Sequence, residues 1–92
     1  MLQECDAGIV FLPGAGGTVQ EIFQDACENY YAEPPMVAPM VLVGIDHWSH
    51  ELPAWPLLMA LAEGRAMASR THLVGTVVDA ARLLRGDGRA NP

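Results

Sequence analysis

Apolar residues in this chain fall into two kinds of run. Ala7 to Leu12 (AGIVFL) and Met40 to Ile45 (MVLVGI) are continuous, the pattern of strands buried on both faces of a parallel sheet. Between them Val19, Ile22, Phe23, Ala26, Cys27 and Tyr30 recur at helical spacing, with Gln20, Gln24, Asp25 and Glu28 on the opposite face. This predicts a helix from Thr18 to about Tyr31, which Pro34-Pro35 prevents from continuing. A second helix is predicted from Ala54 or Trp55 to Gly64, with Pro56 tolerated in its first turn. His72 to Val74 reads as a short third strand and Val78 to Arg85 as a last helix. Residues 86–92 are polar and contain glycine, so a frayed tail is expected after a domain spanning 1–85.

The alternation of buried-type strands with helices predicts an α/β fold, a parallel sheet with flanking helices. Ligands of such sheets sit at the carboxyl ends of the strands. Two segments lie there, the glycine-containing run after Leu12 and Asp46-His47-Trp48-Ser49-His50, read as a loop. They can face one crevice.

Composition narrows the partners. The chain has 92 residues and a formal charge of −6; its five basic residues are all arginines. An acidic chain without lysine argues against a nucleic-acid polymer as partner and against Schiff-base chemistry in cis. Cys5 and Cys27 are too few for a disulfide scaffold or a metal motif, and both are expected to be reduced and half-buried. No basic leader precedes a long apolar run, and no apolar stretch reaches membrane-spanning length. A soluble, cytoplasmic protein with no membrane association is expected.

The run Leu12-Pro13-Gly14-Ala15-Gly16-Gly17-Thr18-Val19-Gln20-Glu21 joins strand to helix. Gly14, Gly16 and Gly17 remove side chains where a phosphate would approach the backbone, and glycine permits the positive φ of an anion-binding nest. The helix N-terminus adds partial positive charge. Neither familiar phosphate loop fits: the Walker lysine is missing, and the third glycine of a dinucleotide fingerprint falls at Val19. A tight strand-to-helix turn needing small residues explains the same glycines. Thr18 and Glu21 also have two readings: Thr-x-x-Glu is a capping box, and Glu21 is a carboxylate beside the anion pocket. His47, His50 and Glu51 are better read as a solvated loop than as metal ligands. Trp48 and Trp55 are expected to anchor packing.

Taken together, Pro13-Gly14-Ala15-Gly16-Gly17-Thr18-Val19-Gln20-Glu21 resembles the P-G-G-x-G-T-x-x-E signature of the Lonely Guy (LOG) family, often mislabelled lysine decarboxylases. The resemblance extends more loosely through Met40 to Ile45 and the Trp-containing loop to the last helix. It implies a Rossmann-like fold, a homo-oligomer (typically a dimer) and no cofactor. It also implies hydrolysis of the N-glycosidic bond of a purine nucleoside 5′-monophosphate such as AMP, giving base and ribose 5-phosphate. In cytokinin-activating members the base is an N6-modified adenine. By the same resemblance the backbone of Gly14, Ala15, Gly16, Gly17 and Thr18 holds the 5′-phosphate. Glu21 sits beside the ribose, where a carboxylate stabilises an oxocarbenium-like state.

Two departures qualify the resemblance. Ala15 replaces the family's second glycine and requires a negative φ. The family's first strands, its N-terminal nucleotide-binding loop and a catalytic arginine all precede the signature, whereas twelve residues without arginine precede Pro13 here. The chain therefore resembles the carboxyl half of a LOG-type domain. Three readings follow: a phosphoribohydrolase whose parent chain is longer, a nucleotide-sensing module without chemistry, or an inactive half-domain. For the isolated chain, little or no activity is expected.

Overall fold

The computed structural model describes residues 2–5 and 8–88. Its elements are β1 (Leu2–Cys5), β2 (Gly8–Phe11), α1 (Gly16–Tyr31), β3 (Met40–Val43), α2 (Ala54–Ala62), β4 (Thr71–Val74) and α3 (Val77–Gly88). Short 3-10 turns lie at Pro34–Met36 and Ala66–Arg70, and a π-helical turn at His47–Glu51.

The strands form one sheet in the order β1-β2-β3-β4. β2, β3 and β4 run parallel, with Val10 beside Val41 and Val41 beside His72. Each parallel connection carries a helix, as a crossover requires. β1 pairs antiparallel with β2 and covers its outer edge. LQEC carries no alternating apolar pattern, so this strand is legible only from the sheet it joins.

Alternation along the strands builds two cores. Phe11, Met40 and Leu42 face α1 and α2, packing with Ile22, Ala26, Leu58 and Ala62. Val10, Val41 and Val43 face the other way, against Ala80 and Leu84 of α3. All four residues of β3 are buried, which accounts for the uninterrupted MVLV. The architecture is a small parallel α/β layer fold of Rossmann-like type, with a radius of gyration of 12.2 Å. That matches the roughly 12 Å of a compact chain of this length.

The predicted elements need local corrections. α1 begins at Gly16, ahead of Thr18, and its buried stripe is Thr18, Ile22, Ala26 and Asn29. Cys27 lies outside that stripe and is exposed, not half-buried. Cys5 falls where side chains lie outside the described residues. Two polar residues replace it inside the stripe. Asn29 earns its place by satisfying the segment that leads into β3: its amide donates to Ala38 O (2.9 Å), and its oxygen accepts from Ala38 N (3.1 Å). α3 reaches Gly88, and residues 89–92 of the expected tail lie outside the described residues. Among the described residues no helix is long and apolar enough to cross a membrane.

Candidate functional site

The carboxyl ends of β2 and β3 are neighbours in the parallel sheet, so the chain leaving each meets the other. Leaving β2, the backbone passes Leu12–Ala15 and enters α1 at Gly16. Ala15 is the residue before the helix, with φ −122° and ψ −140°. The negative φ required of alanine at this point is met.

The capping box is not formed. The helix starts three residues earlier than a Thr18 cap requires, so the capping position falls to Ala15, which has no side-chain acceptor. Thr18 is instead the third helical residue and is buried, while Glu21 is the sixth and is exposed. Gly16 and Gly17 occupy the first turn, whose amides have no acceptor within a helix. Neither amide donates a hydrogen bond among the described residues.

The glycines do not form a positive-φ nest at this turn either, because Gly16 and Gly17 are helical. A Cβ on either would meet no atom within 4 Å. Among the described residues nothing presses on these positions. Glu21 follows Gly17 by four residues, on the same helix face and about 6 Å further along the axis. Its carboxylate makes no hydrogen bond or ion pair among the described residues.

Asp46–His50 is not an irregular loop but a helical turn that widens to π geometry. Trp48 N donates to Gly44 O at 3.0 Å, and Leu52 N donates to His47 O at 2.8 Å, five residues back. The turn is anchored by Trp48, which is fully buried and packs in the core with Leu58 and Met67. Trp55 packs partly buried against the same core. Both tryptophans are therefore packing residues.

The same turn brings His47 to the glycine loop. His47 Nε2 lies 2.7 Å from Gly14 O, and Nδ1 lies 3.3 Å from Glu51 Oε1. His50 turns the other way, to Asp46 at 3.2 Å on the exposed surface. The two histidines thus serve separate i,i+4 pairs, and no three His, Cys, Asp or Glu side chains among the described residues could share a metal ion. His47 is the site residue whose role sequence reasoning missed. Its only sequence signal is its place just after β3, on the sheet edge that carries the loop.

Beside the first turns of α1, Val19, Phe23, Leu52, Pro53, Ala54 and Leu57 line an open groove of about 230 Å³. Its walls are apolar throughout, so it offers contact surface and no chemical group.

The first turn of α1 supplies amides without a helical acceptor, the helix end its partial charge and Glu21 a carboxylate one turn away. Comparison of the chain with models of known protein families, with curated proteins and with solved structures gives no match. The fold and sequence together establish a small α/β domain with a three-stranded parallel core.

Proposed function

We propose that the chain is a LOG-type nucleotide-binding unit that takes the 5′-phosphate of a purine nucleoside monophosphate such as AMP on the backbone of Gly14, Ala15, Gly16, Gly17 and Thr18. The observation that carries this reading is the open space at Gly16 and Gly17. A turn that needed small residues for its own packing would have atoms against those Cα positions. These two glycines are costly helix residues, yet no contact among the described residues asks for them. A ligand approaching from outside does, because it must come close to the amides. The partial positive charge of the helix end favours an anion there.

The parent activity proposed is hydrolysis of the N-glycosidic bond, releasing base and ribose 5-phosphate. Phosphate at the first turn places the ribose along α1 toward Glu21, whose carboxylate orients a hydroxyl or the attacking water and stabilises the oxocarbenium-like state. A second reading, binding without chemistry, is favoured by one observation: Glu21 is exposed and no neighbour among the described residues orients its carboxylate. In either reading the molecule associates with a second copy.

Base release from AMP and from N6-modified AMP, followed by chromatography, separates the two. Turnover abolished by Glu21→Gln supports the hydrolase; AMP binding without base release supports the sensing module. Failure of the chain to bind AMP at all contradicts both and leaves the inactive half-domain.

A further inference from the structure

We infer that His47 is the positioning residue of the glycine loop, holding the Gly14 peptide so that the loop amides stay aimed outward. The link is short and long-range: Nε2 stands 2.7 Å from Gly14 O, across thirty-three residues of sequence. A carbonyl oxygen only accepts, so Nε2 carries a proton and donates. A trans peptide is planar, with its C=O and N–H opposed. Fixing the Gly14 carbonyl against His47 therefore turns the Ala15 N–H to the other side, next to the amides of Gly16 and Gly17.

The ring is itself held on several sides. Glu51 Oε1 lies 3.3 Å from Nδ1. Trp48 packs edge-on, with ring centroids 4.5 Å apart and planes at 84°. The approach of loop and ring is made possible by Gly44, which has φ +110°; a Cβ there would meet Pro13 Cγ at 3.1 Å and His47 Cβ at 3.4 Å. The π-helical turn begins at His47 itself, and such turns set where a side chain emerges. Four features of local sequence thus converge on one hydrogen bond.

The other polar groups of the turn, Asp46 and His50, pair with each other on the exposed surface, away from the loop.

The positioning role concerns the loop itself, and only its ligand arm rests on the phosphate reading. The test is nuclear magnetic resonance on the whole chain as wild type, His47→Phe and His47→Gln. Three readouts are taken: imidazole 15N shifts, hydrogen exchange of the Ala15–Gly17 amides, and titration with 5′-AMP against adenosine. The wild type is expected to show a protonated, hydrogen-bonded Nε2. His47→Phe is expected to speed exchange at the loop amides and weaken AMP binding roughly tenfold, the worth of one strong hydrogen bond. His47→Gln, whose amide can donate from the same place, is expected to restore both to within about threefold. Wild-type exchange and AMP affinity in a folded His47→Phe chain overturn the inference, as does a wild-type ring protonated at Nδ1 alone. If the Phe variant does not fold, the wild-type tautomer and the Gln variant decide. Loop amides loosened by His47→Phe, with no AMP binding by any chain, support the positioning role and contradict the phosphate reading.

Discussion

Gly8 and Gly17 lack side chains for opposite reasons. At Gly8 a Cβ would lie 2.6 Å from Pro39 O and 2.9 Å from Pro39 Cβ, in the backbone that leads into β3. That carbonyl also accepts from Ile9 N at 3.0 Å, so it cannot move aside without losing a sheet bond. Gly8→Ala is expected to destabilise the fold by about 1–3 kcal/mol through this overlap, read as a lower urea midpoint. At Gly17 a Cβ meets nothing, and alanine is the better helix residue. Gly17→Ala is expected to leave stability unchanged or to raise it by up to about 1 kcal/mol; a clear loss in the same denaturation experiment contradicts the account. Asn29 is the third informative position. Its side chain makes two hydrogen bonds to Ala38 from a largely buried site, so Asn29→Ala leaves the part-buried N–H and C=O of Ala38 without these partners. A loss of about 1–3 kcal/mol is expected, again by urea titration.

Among the elements, the buried strands were the most legible. A strand packed on both faces must be apolar throughout, so AGIVFL and MVLVGI announce β2 and β3 directly. The helices were legible from period, but their ends were not. Thr18 imitates a cap because its position relative to Glu21 is that of a capping box, whereas the backbone turns helical already at Gly16. A helix start is set by where the strand delivers the chain, which no window of sequence contains. β1 and the π-helical turn were missed for the same kind of reason. β1 exists by pairing with β2, and the turn at His47–Glu51 is fixed by Trp48 in the core below. Of the candidate site, the loop residues and Glu21 lie at the expected edge, while the contact of His47 with Gly14 is a tertiary event. α2 tests the packing at this scale. Leu58 is fully buried among residues of α1, β3 and the π-helical turn. Leu58→Ala is expected to cost about 2–5 kcal/mol, measured by thermal or chemical unfolding.

For the whole molecule, the sheet has two unequal faces and two edge strands, β1 and β4. Two helices cover one face, a single helix covers the other, and β4 lies at the edge of the sheet with three of its four residues only partly buried. Ile45, Val77 and Val78 are exposed near the carboxyl ends of β3 and β4, and Leu57 is exposed beside the apolar groove. Uncovered edges and apolar surface favour association. Light scattering at micromolar concentration is therefore expected to give at least the mass of a dimer; a well-behaved monomer of 9.9 kDa contradicts that expectation. The architecture brings the loop, Glu21 and His47 to one end of the sheet, where parallel α/β folds hold their ligands. The central claim is that Gly16 and Gly17 serve a phosphate and not the fold. It is tested most directly by calorimetric titration of 5′-AMP into the wild type and the folded Gly17→Ala chain. The account predicts binding by the wild type and a loss of roughly tenfold or more in the variant, as expected when an amide contact to an anion is obstructed. Equal affinity of the two chains, or no heat of binding to the wild type, would contradict it.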